Sequence, residues 1–566
     1  MTQPEGASPV TTDWNVQVPM RDGIRLAADV WRGGPGERRT TVLSRTPYNK
    51  NNAEHQERAA AYAAHGYNFV DQDVRGRGDS EGRFEPWRSE ALDGYDSIEW
   101  IAAQDWSDGN VVTWGPSYLS WIQWLTAVEQ PPHLRAMIAH VAPSDPFEDS
   151  PTGVPIPWEL CWLRMLDGRM RQYVDLVDWP QLAWHLPLLT MDTHAGFRSE
   201  HWRNFLTHPI TDQQYWDPVR YRPRIREVTV PVLNITGWYD DVQRGSTENF
   251  RLLTGPDVPA SVRQNQWMLI GPWDHSCTTN RNRRLGAIDF GPGAETDLPA
   301  LEREWLAAVL RQEGELPAPV RIFVMGENAW REEQEWPIAR TRWTRYLLHS
   351  DGAANTRHGG GVLRREDDPA AEPPGSAAPS DALTYDPADP VPFISDHASS
   401  SQIGGPDDYA AVEERPDVLV YTTGELAADR EVTGPVRLEL FASSSAVDTD
   451  FTAKLLDVHP DGFVQRLCDS MVRARFRNGY REPESRLVPG EVTAFTIDMW
   501  STSHVFRAGH RIRLEVSSSA FPKYDRNLNT GADIATGTEM VTAVNTVWHT
   551  SDYPSHLVLP EIPAGH

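Results

Sequence analysis

The chain has 566 residues, more than one hydrophobic core usually serves, so two or three domains are expected. Hydrophobic residues make up 39% of it and 23 residues are Trp, which excludes a disordered chain and supplies rings for both a core and a pocket wall. Its 80 Asp plus Glu against 53 Lys plus Arg give a formal net charge of -27, which repels phosphate backbones and anionic lipid and so excludes nucleic acid and membrane surfaces as partners.

The opening residues, M-T-Q-P-E-G-A-S-P-V-T-T-D, have no basic stretch and no apolar core of a leader, and no run of about 18 apolar residues follows anywhere. Cys161, Cys277 and Cys468 are far apart and odd in number, so neither a disulfide framework nor a Cys-rich zinc site is expected. A cytoplasmic protein is the expectation. Residues 15 to 32 alternate around Arg21-Asp22-Gly23 and read as a β-hairpin. Short β-rich runs then recur at 41–44, 67–74, 111–114, 136–141, 230–236 and 267–270, most of them separated by helix-like or loop segments. Runs such as V-V-T-W and V-L-N-I-T do not alternate, which suits strands buried on both faces of a largely parallel sheet. Between about 144 and 226 the β-runs stop and W-E-L-C-W-L-R-M-L and Q-L-A-W-H-L-P-L-L show helical spacing, read as a helical cap over the ligand end of the sheet. A last helix is expected over 301–311. Beyond about 315 short β-branched and aromatic runs divided by Gly, Pro and Asp point to an all-β sandwich or jelly roll, with 353–380 as a long surface loop. The fold class is therefore α/β: a largely parallel sheet domain from 1–143 and 227–314, an inserted helical cap at 144–226, and a C-terminal jelly-roll domain at 315–566. The edges of such a β-sandwich make a homo-oligomer reasonable.

In V-V-T-W-G-P-S-Y-L-S-W a buried strand meets Gly115-Pro116-Ser117-Tyr118 and an apolar helix follows. A serine at that corner has the context of a nucleophile elbow, with its hydroxyl lifted over the sheet edge and backbone N–H groups of the helix start ready for an oxyanion. A serine is a weak nucleophile near neutral pH unless a base takes its proton, and the base needs an orienting carboxylate. In chain order the carboxylate comes before the histidine, each after a later strand. G-W-Y-D-D after the run at 230–236 offers Asp240 first and Asp241 next, and spacing does not choose between them; G-P-W-D-H-S after 267–270 offers His275. A neighbour such as Asp274 is poorly placed to share a hydrogen bond with His275 on an irregular loop. In L-S-R-T-P-Y-N-K, Tyr48 stands at a strand end from which a phenol can donate to an oxyanion beside the Tyr118 amide. The stretch 71–84, D-Q-D-V-R-G-R-G-D-S-E-G-R-F, copies a calcium loop only superficially: Arg75 and Gly82 stand where oxygen ligands are needed, so a rigid loop with arginines paired to local carboxylates is expected instead, and no metal.

Together these residues resemble the family of cocaine esterase and X-Pro dipeptidyl peptidase, with the α-amino acid ester hydrolases and glutaryl acylases. The landmarks are P-M-R-D-G at 19–23, R-T-P-Y at 45–48, Q-D-V-R-G-R-G-D-S-E-G at 72–82, G-P-S-Y at 115–118, G-W-Y-D at 237–240, G-P-W-D-H at 271–275 and D-T-D-F at 448–451. The resemblance implies that the sheet is an α/β-hydrolase catalytic domain, with a cap inserted after the sixth strand and a C-terminal jelly roll. It also implies Ser117 as nucleophile, Asp240 as acid, His275 as base, and Tyr48 with the Tyr118 amide as oxyanion hole. One departure is Ser120, where the family's elbow has glycine, which implies a slightly altered approach of helix and strand.

The activity expected is cofactor-free hydrolysis of a small-molecule acyl ester through an acyl-enzyme, with activity rising with pH about a midpoint of roughly 6 to 7.5 as His275 loses its proton. The alternatives are an amidase or peptidase, which would want carboxylates such as Asp241, Asp274, Asp145 or Glu148 to grip an α-ammonium; acyl transfer to another acceptor; and a non-catalytic ligand-binding protein on a hydrolase scaffold. Trp121, Trp158, Trp162, Trp184 and Val242 are the expected lining of an apolar acyl pocket.

Overall fold

The computed structural model describes residues 10–34, 36–143, 152–153, 157–276, 283–367, 378–395 and 404–563. Asp145, Glu148 and Cys277 lie outside the described residues. The chain first builds β1 (Val10–Pro19), β2 (Arg25–Gly33), β3 (Arg39–Thr46), β4 (Asn68–Asp73), β5 (Ser107–Pro116), β6 (Leu134–His140), β7 (Val232–Gly237) and β8 (Gln266–Gly271). A two-residue hairpin, β9 (Arg284–Leu285) with β10 (Ile288–Asp289), precedes β11 (Val320–Val324) and β12 (Ala329–Glu333). Apart from β9 and β10 these form one 10-stranded sheet in the order β1-β2-β4-β3-β5-β6-β7-β8-β11-β12. The run from β4 to β11 is parallel; β1, β2 and β12 are attached antiparallel.

Every residue of β4, β7 and β8 is buried, as strands covered on both faces require. One face carries α1 (Ala53–Ala64) and the helix Leu298–Arg311, whose Tyr62, Trp305 and Leu306 pack on Val42, Val112, Ile138 and Ile235. The other carries α2 (Glu90–Ala102) and α3 (Tyr118–Ala127), whose Ile98, Leu119 and Ile122 pack on Leu43, Val70, Val111 and Met137. Short helices fill the chain between β6 and β7, among them α4 (Pro157–Met165) and Glu200–Thr207, the latter started by the Ser199 side chain accepting from the Trp202 N–H. Trp202, Phe205 and Trp216 of this insertion share the cluster beneath α2 and α3.

The chain from Arg342 to Ile562 pairs into a second, 11-stranded and mostly antiparallel sheet around Leu419, Leu438, Phe451, Leu514 and Leu557. The α/β sheet followed by an all-β domain is the expected fold class. Three details differ from the sequence reading. β11 and β12 pair with β8 and with each other, so the first sheet draws its last two strands from beyond the expected boundary at 314/315. The last helix starts at Leu298, because the Asp297 carboxylate caps the Ala300 N–H at 3.2 Å and Pro299 is admitted in the first turn. The stretch 353–380 is not all loop, since Val362–Arg365 adds a strand beside Arg342–His349. Among the described residues no helix is long and apolar enough to cross a membrane.

Ser120 lies on α3 with its side chain fully buried and its hydroxyl without a hydrogen-bond partner among the described residues. A buried hydroxyl that makes no bond costs about 1 to 3 kcal/mol, and alanine is also the better helix former. Ser120→Ala is therefore expected to raise the thermal midpoint by about 1 to 3 °C in a melting experiment, and a fall would show that the hydroxyl is bonded.

Candidate active site

In a parallel sheet all carboxyl ends lie along one edge, and four of them supply the residues singled out in the sequence. Tyr48 follows β3, Ser117 follows β5, Asp240 follows β7 and His275 follows β8, with β3-β5-β6-β7-β8 as neighbours.

Ser117 takes φ 55° and ψ −119°, a conformation that costs a non-glycine residue about 1 to 3 kcal/mol and turns strand into helix within one residue. Its N–H donates to the His140 carbonyl at 3.0 Å and its carbonyl accepts from the Ser120 and Trp121 amides at 2.9 Å, so the strain is held by main chain on both sides. Gly115 makes room for the turn: a Cβ there would stand 2.4 Å from Leu119 Cβ. Tyr118 opens α3, so its N–H has no acceptor inside the helix. Its phenol is committed elsewhere, donating to Glu90 Oε1 at 2.8 Å and accepting from the Trp87 N–H at 3.1 Å.

The acid and base loops are laced together by main chain. The Trp238 N–H donates to the Gly271 carbonyl at 2.9 Å and the Tyr239 N–H to the Trp273 carbonyl at 3.0 Å. A Cβ on Gly237 would fall 2.0 Å from that Trp273 oxygen, so only glycine allows this approach. Asp240 is 2% exposed. Its Oδ2 accepts from the Thr236 hydroxyl at 2.6 Å, and its Oδ1 from the Val242 N–H at 3.1 Å and from His275 Nδ1 at 2.8 Å. Asp241 Oδ1 is 3.3 Å from the same nitrogen, and Asp274 instead caps the Ser276 N–H and hydroxyl. With Nδ1 turned to Asp240, Nε2 is the nitrogen left to take a proton. The structure thus joins His275 to Asp240, while the Ser117 hydroxyl has no hydrogen bond among the described residues. Asp240, Asp241 and His275 also offer ligand atoms within 4.8 Å of one another, the arrangement a cation would need.

Burial alone would lower the His275 pKa, but the Asp241 and Asp240 carboxylates outweigh it and hold the imidazole up at about 9. Burial in turn pushes the Asp241 carboxyl up to about 6, against the pull of His275. Burial pushes the Tyr48 phenol up to about 12, and the Trp162 indole N–H donates to its oxygen at 2.8 Å. The phenol therefore keeps its proton at neutral pH and has it free to donate.

Of the expected pocket residues, Trp121 and Trp162 are buried in one apolar cluster, with the half-buried Trp158 packed against it. Val242 belongs to a different cluster, under the opposite face of the sheet, and Trp184 is exposed against Phe521 and Arg526. Neither joins the tryptophans.

Residues outside the sequence reading matter here. Trp87 stacks on Trp121, Trp162 and Phe205 with centroids 4.7, 5.7 and 5.6 Å away. Nothing in E-P-W-R marks it. Glu159 of α4 is pushed up to about 8 by burial, with the Asp241 charge adding to the effect. In the 71–84 loop Arg75 pairs with Asp93 at 2.6 Å and Asp22 at 2.8 Å, the kind of local pairing expected. Arg77 departs from that expectation: fully buried, it donates to the carbonyls of Pro47, Leu166 and Gly168.

Residues 22–277 match the X-Pro dipeptidyl-peptidase (S15 family) model, and residues 314–558 match the X-Pro dipeptidyl-peptidase C-terminal non-catalytic domain. The chain is 36% identical to cocaine esterase of Rhodococcus sp. (strain MB1 Bresler), over 97% of this chain and 98% of that one. Its structure is similar to that of an aminopeptidase from a marine sediment Thaumarchaeota archaeon, at TM-score 0.84 and 25% identity, over 100% of this chain and 98% of that chain. An α-amino acid ester hydrolase has the same fold, at TM-score 0.84 and 23% identity over 99% and 98% of the two chains.

A base with a raised pKa is protonated and idle at low pH and gains activity as pH rises through that pKa. The pH profile of kcat/KM is expected to rise with a midpoint above the ordinary histidine value of about 6.5 and toward 9, higher than the sequence alone implies. Asp241→Asn removes the charge that raises the imidazole most and is expected to move that midpoint down; an unmoved midpoint would show that Asp241 does not hold the imidazole.

Proposed function

The chain belongs to the X-Pro dipeptidyl-peptidase (S15) family, and from that premise we propose that it is a serine hydrolase that cleaves small-molecule acyl esters, with Ser117 as nucleophile, His275 as base and Asp240 as the orienting acid. The observation that carries the proposal is His275 Nδ1 at 2.8 Å from a buried Asp240, on the sheet edge that also bears the strained Ser117. Ser117 Oγ attacks the acyl carbon as its proton passes to His275 Nε2. The Tyr48 phenol and the Tyr118 N–H donate to the oxyanion of the tetrahedral adduct. Collapse breaks the bond to the alcohol, which leaves with the proton from His275. Water then attacks the acyl-enzyme with His275 again as base, releasing the acid and restoring the serine.

The stacked Trp87, Trp121 and Trp162 support an apolar or aromatic acyl group, and the Trp162 bond to Tyr48 links that wall to the oxyanion donor. Three widely spaced cysteines, of which Cys161 and Cys468 are buried, fit a cytoplasmic enzyme.

Ser117→Ala is expected to lower kcat/KM on p-nitrophenyl esters by about 10⁴ to 10⁶ and to abolish labelling by a fluorophosphonate. Tyr48→Phe should cost about 10² to 10³, mostly in kcat. Full hydrolysis by the Ser117 variant would remove the proposal, and absence of both labelling and turnover in the parent enzyme would favour a ligand-binding protein. In the same assay aliphatic and aromatic esters should outrun α-amino esters and aminoacyl-proline anilides; the reverse order would make it a peptidase.

A further inference from the structure

The all-β domain holds a second histidine–carboxylate cluster that the hydrolytic reading does not use. Asp457 lies near the end of strand Asp450–Val458, opposite Gln465 on one neighbouring strand and Ile512 on the other. That pairing brings His459, in the turn after the strand, beside His510, in the turn before strand Arg511–Ser517. Their rings stand 4.5 Å apart, between centroids. The buried Asp457 carboxylate lies 2.9 Å from His510 Nδ1, 3.6 Å from His459 Nε2 and 2.8 Å from His504 Nε2. Asp457, His459 and His510 each offer one ligand atom, all within 4.8 Å of one another.

These separations are close to those of a filled site. Ligand atoms about 2.0 to 2.2 Å from a tetrahedral zinc ion stand about 3.3 to 3.6 Å apart. Asp457 Oδ2 stands 3.0 Å from His510 Nδ1 and 3.6 Å from His459 Nε2, so an ion would enter by displacing the hydrogen bond that His510 Nδ1 makes to the carboxylate. One carboxylate with two imidazoles is a donor set for zinc or a similar late first-row divalent ion rather than for calcium or magnesium. His504 supplies outer support: it is 3% exposed and its Nδ1 has no partner among the described residues, so the ring gives its N–H to Asp457 through Nε2. His459 and His510 keep 25% and 15% of their side chains exposed, which leaves an entry path and a face for water as the remaining ligand.

The cluster also sits on the seam between the two sheets. His504 bridges Met325 at the end of β11, and Arg507 donates to the Gly326 carbonyl at 2.7 Å. Gln465, opposite Asp457 on the neighbouring strand, donates its amide N–H to the hydroxyl of Tyr239, the neighbour of Asp240, at 3.4 Å, and the 3.2 Å contact of its Oε1 with His459 Nε2 would give way to the ion. We propose that Asp457, His459 and His510 form a structural site for a zinc-type divalent ion, with His504 orienting the carboxylate, that braces the all-β domain against the loop carrying Asp240.

The test uses the full-length protein stripped with a chelator, then given zinc chloride and freed of excess by gel filtration. About one zinc per chain is expected by plasma mass spectrometry, with a thermal midpoint raised by a few degrees and no loss of ester hydrolysis. Cobalt in place of zinc should give the visible absorption bands of a tetrahedral ion. His459→Gln with His510→Gln should abolish both the bound zinc and the rise in midpoint while hydrolysis in chelator stays within about twofold of the parent, since neither residue contacts the reacting atoms. If that pair fails to fold, His459→Gln alone should weaken zinc at least about tenfold. No zinc on the parent protein overturns the proposal. So does zinc retained by the variants, above all with falling hydrolysis, which would mean capture by Asp240, Asp241 and His275.

Discussion

The buried carboxylate of Asp240 is the interaction on which the rest of this molecule depends. Removing an ion from water costs several kcal/mol even after relaxation, and only close partners offset it. Asp240 finds them in the strand before it, in its own turn and in the next loop: the Thr236 hydroxyl, the Val242 N–H and the His275 ring. The loop is in turn held from the other domain. Gln243 exchanges hydrogen bonds with the main chain of Ser501 at 2.9 and 3.1 Å, and the Tyr239 hydroxyl donates to the Arg466 carbonyl at 3.2 Å. The all-β domain therefore fixes the loop that carries Asp240, which ties the two domains together at the candidate site.

Arg77 has the same role on the opposite flank. Its guanidinium is fully buried and ties the Pro47 carbonyl, next to Tyr48, to the Leu166 and Gly168 carbonyls of the helical insertion. Burial lowers its pKa to about 10, which still leaves it charged at neutral pH. One cation thus sets the position of the Tyr48 phenol relative to the insertion that brings Trp162 to it. A surface arginine could not do so, because an exposed pair is worth little and is screened by salt.

The sheet was legible because buried parallel strands write themselves as unbroken apolar runs, as in V-L-N-I-T at β7, and because the elbow, G-W-Y-D-D and G-P-W-D-H each follow such a run. The pairing of the strands just beyond 314 was not. V-R-I-F-V and A-W-R-E-E look like any antiparallel pair, and what assigns them to the first sheet is the register of Val320 with Met268, a contact some fifty residues away that no local pattern encodes. Trp87 and Glu159 were missed for a related reason: each acts through neighbours from distant segments, Trp121 and Phe205 for the one and Asp241 for the other. The place of Val242 after Asp240 says which loop it is on, not which face of the sheet it packs under.

The two carboxylates beside His275 also bear on which bond the site can break. An imidazole held up at about 9 is a stronger base than usual and, once protonated, a weaker acid. Taking the proton of Ser117 is helped by the first property. Expelling an amine is hindered by the second, because the departing nitrogen must receive that proton as the adduct collapses, whereas an alcohol, and still more a phenol, leaves with less help. In the proposed triad the charges around His275 therefore favour esters with good leaving groups, before any contact with the rest of the substrate is counted.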